Sequence, residues 1–144
     1  MKCKFTVSGE PKGKGRPKFA RRGQYTTAYT PKETVQYENL IATEFRCQCG
    51  GARFPDDAML DMRVYAYYAI PKSASKKKYA AMLDGTVRPT KKPDIDNIQK
   101  VVADSLNAVA YRDDAQIVDN MVRKFYSDRP RVEVFIQTIE KENC

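Results

Sequence analysis

The stretch from Pro93 to Val109 limits the possible folds more than any other. Ile95, Ile98, Val102, Leu106 and Val109 recur at helical spacing after a proline, so this segment is an amphipathic helix that must bury one stripe. Asp94 or Asp96 is placed to cap it. Strand-like sequence surrounds it: Lys2 to Ser8 alternates, Asp57 to Ile70 is rich in tyrosine and valine until Pro71 breaks it, and Ala115 to Tyr126 and Arg131 to Ile139 read as two strands joined by a turn at Ser127–Pro130. Gly9 to Arg22 reads as a glycine- and lysine-rich loop, and Gln24 to Thr30 as extended. Thr30 as N-cap, with Pro31 at the first position, opens a helix running to about Cys47, with Val35, Leu40, Ile41 and Phe45 as its apolar face and Gly50–Gly51 as its end. Ser73 or Ser75 caps a short helix carrying Lys76, Lys77 and Lys78. The order β, α, β, α, α, β, β predicts an α/β or α+β fold with a mixed β-sheet packed by helices, as one domain over residues 1–144.

Histidine is absent, which removes histidine general bases, histidine-ligated zinc and serine–histidine triads together. A metal on this chain is therefore a hard cation on oxygen ligands, magnesium or manganese. Of the four cysteines, only Cys47 and Cys49 are close, and one C-x-C does not make a zinc site, so Cys3, Cys47, Cys49 and Cys144 are expected as free thiols. No apolar run approaches a membrane span, and the start runs directly into a strand, which predicts a cytoplasmic protein without membrane contact. The net charge of +8 is unevenly placed: residues 1–32 carry nine basic side chains against one acidic, and residues 72–92 carry seven against one. Such segments suit a polyanionic partner, although charge alone does not separate DNA from RNA or lipid.

The chemistry concentrates in Lys92-Pro93-Asp94-Ile95-Asp96-Asn97. Asp94 and Asp96 stand two apart where the backbone is still extended, so both carboxylates point one way and repel each other. A divalent cation relieves that repulsion and can serve phosphodiester hydrolysis. Asp96, Lys100 and Asp104 follow at intervals of four, on a face different from the apolar stripe. Lys100 either serves a phosphate or is one half of an ordinary helical ion pair. Asp113–Asp114 forms a second acidic group that approaches the helix start only if the following strand returns along the helix. Asp119 lies out of phase on that strand.

The run Lys92-Pro93-Asp94-Ile95-Asp96-Asn97, with Lys100, then Asp104-Ser105-Leu106-Asn107 and Asp113-Asp114-Ala115-Gln116-Ile117-Val118, resembles the RusA family of Holliday junction resolvases in order and spacing over about thirty residues. Weaker similarity covers Gly15-Arg16-Pro17, Tyr29-Thr30-Pro31, Pro71-Lys72-Ser73 with Lys76–Lys78, and Lys124 before Phe125-Tyr126. The resemblance implies a homodimeric, magnesium-dependent endonuclease that nicks four-way junctions in pairs, in DNA recombination and repair. It also implies metal-binding carboxylates at Asp94, Asp96 and Asp114, with Asp113 at a further acidic position, and an essential lysine at Lys100. Lys12, Lys14, Arg16, Lys18, Arg21 and Arg22, then Lys72, Lys76, Lys77, Lys78 and Lys124, are the expected DNA-binding side chains. Manganese is expected to substitute for magnesium, and no small-molecule cofactor is expected. The competing reading is a non-catalytic basic module that holds branched or single-stranded nucleic acid by stacking bases on exposed members of Tyr25, Tyr29, Tyr65, Tyr67, Tyr68 and Tyr79. For most of these tyrosines strand packing is the expected role.

Overall fold

In the computed structural model, which describes residues 1–140, the elements are β1 (Lys2–Ser8), β2 (Lys18–Arg22), β3 (Tyr25–Tyr29), α1 (Lys32–Cys49), β4 (Leu60–Ala69), α2 (Lys76–Leu83), α3 (Ile95–Ser105), β5 (Ile117–Ser127) and β6 (Arg131–Thr138). Four strands form one mixed sheet in the order β1-β6-β4-β5, with β4 and β5 parallel and the other neighbours antiparallel. The α+β expectation with a mixed sheet is met. β2 and β3 pair only with each other.

The core follows from alternation. Phe5 and Val7 of β1, Leu60, Met62, Val64, Ala66 and Tyr68 of β4, and Val132, Val134 and Ile136 of β6 are all buried. The register brings Phe5 opposite Val134 and Val134 opposite Val64, so these residues share one face. Helices α1 and α3 cover that face, with Phe5 meeting Phe45 edge to face at 5.5 Å. Burying each such side chain contributes about 1.5–3 kcal/mol. On the other face, Tyr65 and Tyr67 pack against Phe125, and Tyr65 also against Phe135.

Some local expectations are corrected and others are met. Residues 18–22 are a strand, because they find a partner in 25–29. Pro31 itself occupies the cap of α1, without a side-chain cap. The buried face of α1 is Thr34, Tyr37, Ile41, Ala42 and Phe45, while Val35 and Leu40 face solvent. Gly50, at φ 62°, ends α1 in the left-handed cap that glycine suits. Helix α3 stops at Ser105 rather than Val109, since Leu106, Ala110 and Tyr111 turn inward and the Tyr111 hydroxyl donates to Ala103 O at 2.6 Å. β5 and β6 are not neighbours, because β4 lies between them. Ser75 caps α2, its hydroxyl accepting from the Lys78 N–H. Cys3, Cys47 and Cys49 are free thiols, and Cys144 lies outside the described residues. No helix among the described residues is long and apolar enough to cross a membrane.

Candidate active site

Helix α3 is the axis of the site. Ile98, Val101 and Val102 bury its inner face, which leaves Asp96 and Lys100 on the exposed side. Asp94 occupies the N-cap with extended backbone, yet its carboxylate makes no cap hydrogen bond and remains exposed. Tyr68, rising from the core of β4, donates its hydroxyl to Pro93 O at 2.7 Å and fixes the approach to the helix. Asp94 and Asp96 thus stand together at the N-terminal end, where the helix dipole favours negative charge.

Asp114 stands at the other end. Its N–H donates to Asn107 Oδ1 at 2.8 Å, and Asn107 Nδ2 donates back to Asp114 Oδ2 at 3.3 Å. Gln116 pins the same turn: its Oε1 accepts from the N–H groups of Arg112 and Asp113, and its Nε2 donates to Pro55 O and Ala58 O. The early end of α3 folds the chain back at Asn107, which brings Asp114 beside Asp104. Burial pushes the Asp114 carboxyl up from its ordinary value; the Asn107 hydrogen bond opposes this, and the carboxyl groups of Asp104 and Asp113 add to it. Asp96 and Asp104 are eight residues apart, about 12 Å along the helix axis, and Lys100 is midway, roughly 6 Å from each. Within one chain, then, Asp94 and Asp96 are not brought to Asp114. Among the described residues no three acidic or cysteine side chains are placed to hold one ion. A cleft of about 350 Å³ joins Lys100, Asp104 and Asp114 with Asn120 of β5. Asp119 is exposed on the same strand.

Because its repulsion and burial penalise the ionised form, Asp114 lowers the stability of the metal-free fold at neutral pH. Its folded-state pKa is raised, so this cost disappears as pH falls through the raised value and is gone below 3.8. Asp114→Asn in chelator should therefore melt higher than wild type at pH 7, and the difference should shrink as pH approaches 4. Thermal unfolding of both proteins across that range checks it. A variant that melts lower at pH 7 would contradict the electrostatic account.

The basic side chains separate into three groups. Lys12, Lys14, Arg16 and Lys18 line an open groove of about 980 Å³ together with Lys32, Lys92, Pro93 and Asn97, next to Asp94 and Asp96. Two glycines let that loop lie so close: a Cβ on Gly13 would meet Asn97 Nδ2 at 2.6 Å, and one on Gly15 would meet Thr34 Oγ1 at 2.7 Å. Within the groove, the Lys14 ammonium is engaged by Asp104 at 2.6 Å, and that bond holds it above the ordinary lysine range. Arg21 and Arg22 lie on the β2–β3 hairpin. Lys76, Lys77 and Lys78 crowd the first turn of α2, where no acidic residue offsets them. Positive charge there opposes the helix dipole, a cost that a bound polyanion relieves. Lys72 lies just before this helix and is exposed. Lys124 donates to Lys91 O at 2.5 Å with its ammonium over the Tyr68 ring, which ties β5 to the loop before Pro93. Asn107 and Gln116, which hold the Asp114 turn, are given no role of their own from the sequence; their place in the runs that resemble the family is the signal that could have found them.

Two comparisons bear on this arrangement. The family model described as Endodeoxyribonuclease RusA matches residues 8–137. The chain is also 41% identical over 143 residues to an uncharacterized protein, YqaN, of Bacillus subtilis (strain 168), covering 96% of this chain and 99% of that protein. The matched span takes in the basic groove, the whole of α3 and the Asp114 turn, and the chain belongs to the RusA endodeoxyribonuclease family.

Proposed function

We propose that the protein is a magnesium-dependent endonuclease that resolves four-way DNA junctions by paired phosphodiester hydrolysis, as a homodimer. The observation that carries this is α3 itself: exposed Asp94 and Asp96 at its start, half-buried Asp104 and Asp114 at its other end, an exposed lysine between them, and a basic groove beside the first pair. The donor set fits magnesium, because every candidate ligand is a carboxylate oxygen. Magnesium commonly takes only one or two carboxylates and completes its shell with water and substrate phosphate. Asp94, Asp96 and Asp114 would hold it, with Asp113 in reserve beside them, and manganese would fit the same oxygens. Magnesium held there supplies positive charge to the phosphoryl oxygens and a water activated for in-line attack.

The protein's own groups do the rest. Lys12, Arg16 and Lys18 hold the backbone of one arm in the groove, and Lys100 places its ammonium against the phosphate that is cut. The separation of Asp114 from Asp94 and Asp96 in one chain motivates the homodimer: we place Asp114 of one copy with Asp94 and Asp96 of the other. Ile95, 50% exposed beside the first pair, and Val118, 57% exposed in the cleft of the second, offer apolar surface for the contact. A two-fold dimer then carries two such sites for the two cuts in a two-fold junction.

Nicking of a synthetic four-way junction with magnesium, and its loss with chelator, is the expected result. Binding without nicking under every divalent cation would point instead to a binding module. Subunit mixing tests the shared site. Asp96→Asn and Asp114→Asn chains are each inactive alone. Mixed, they form heterodimers in which one composite site is intact, so single-strand nicking returns. If all ligands come from one chain, the mixture stays inactive.

A further inference from the structure

The β2–β3 hairpin is not accounted for by the core or by the carboxylates. Nine of its ten strand residues are exposed, and only Ala20 is partly covered. Two-stranded hairpins are marginally stable in water when nothing packs on them. Yet this one carries Tyr25 at 79% and Phe19 at 70% exposure, the two most exposed large apolar side chains of the described residues, with Tyr29 at 48%.

The register sets their neighbours. Arg22 lies opposite Tyr25 and Lys18 opposite Tyr29, so one face of the ribbon bears a cation beside an aromatic ring at each end, separated by Ala20 and Thr27. Phe19 and Arg21 share the other face. No acidic residue occurs from Pro11 to Lys32, while seven basic ones do. The ribbon also has a fixed root. Lys18 at its start and Pro31 just past its end both line the basic groove whose wall is Pro93 and Asn97.

Charge selects a polyanion as the occupant, and the aromatics select its form. In an intact duplex the faces of the bases are stacked on one another and closed to a side chain. At a branch point they open, and an aromatic ring beside a cation can stack there while the cation takes the adjoining phosphate. We propose that the ribbon is the branch-recognition element: Tyr25 and Phe19 stack on bases unstacked at the branch point, and Arg21 and Arg22 hold the flanking phosphates. This rests on the endonuclease reading and deepens it, since the ribbon would set the branch at the mouth of the groove that leads to Asp94 and Asp96.

The test uses the full chain and Tyr25→Ser, Phe19→Ser, Tyr25→Phe and the double variant Arg21→Ala/Arg22→Ala. Affinities for a four-way junction and for linear duplex are measured at fixed salt in chelator, with 2-aminopurine at the branch as a stacking reporter. Each serine variant should bind the junction about tenfold more weakly, the range of single base–aromatic stacks. Each should also lose the 2-aminopurine response while keeping duplex affinity, and Tyr25→Phe should behave as wild type. The double arginine variant should weaken both substrates and flatten the log–log salt dependence by about 0.9 for each phosphate no longer neutralised. Unchanged junction affinity in both serine variants overturns the proposal, as does an equal loss for junction and duplex. A change of oligomeric state in sedimentation would do so too, by showing that a second copy covers the ribbon. If the wild type shows ribbon-dependent junction binding but no nicking with any divalent cation, the endonuclease reading fails and the ribbon's role stands.

Discussion

Asp96→Asn should abolish nicking of a four-way junction while leaving junction binding intact or tighter. The carboxylate is exposed in the first turn of α3 and is in no ion pair among the described residues, so little of the fold depends on it. Losing its favourable place at the helix N-terminus costs about 0.3–1 kcal/mol. The loss in rate is far larger, because the site no longer holds the charge that stabilises the transition state. A fall of at least about a thousandfold is expected, the upper end of what removing one electrostatic contact of this type produces. Binding moves the other way, because a negative charge beside the phosphodiester is gone. Single-turnover nicking with magnesium, beside binding in chelator, separates the two effects. Asp94→Asn should match it, as should Asp114→Asn, although those two residues sit at opposite ends of the helix. Wild-type nicking from any of the three would remove that residue from the site.

Lys100→Ala is the second large effect. Its four-residue spacing from Asp96 and Asp104 suits a plain helical ion pair, worth only about 0.3–0.5 kcal/mol. Neither carboxylate takes it, however: Asp104 is bound to Lys14 instead. Lys100 is left exposed beside the cleft that holds Asp114. A lysine with that freedom, between two carboxylate groups, is placed to meet a phosphate. The alanine variant should melt close to wild type, since exposed substitutions shift stability by about 0.5 kcal/mol or less. Its nicking rate should fall by about a hundredfold to a thousandfold. Thermal unfolding and single-turnover rates on the same preparation decide it. A variant that unfolds early, or one that nicks normally, would return Lys100 to a structural role.

Much of this was legible in the residues because it depends on local spacing. The apolar stripe of α3 and the exposed face through Asp96 and Lys100 follow from a period of 3.6, and the Asp94–Asp96 pair from a proline followed by a helix start. What escaped depends on long-range pairing. Residues 18–22 bury no face, so no alternation marks them as a strand, although their partner 25–29 reads as extended. The insertion of β4 between β5 and β6 is set by hydrogen bonds between distant segments. The face of α1 was misphased at Val35 and Leu40 because a buried Thr34 and Tyr37 replace the expected aliphatics. In the site, the Lys14–Asp104 bond spans ninety residues and the Asn107–Asp114 exchange depends on where α3 ends, four residues before its apolar pattern runs out. Of the six tyrosines considered for base stacking, Tyr65, Tyr67 and Tyr68 pack in the sheet, whereas Tyr25 and Tyr29 on the β2–β3 hairpin and Tyr79 on α2 are exposed.

The most direct measurement is a crystal of the protein with a four-way junction, soaked in manganese and recorded at an anomalous wavelength. The expected result is a manganese peak coordinated by Asp94 and Asp96 of one copy, with Asp114 of the second copy and a phosphate oxygen completing the shell. Manganese lying away from all three aspartates, or a junction bound with no ion near them, would contradict the shared metal site.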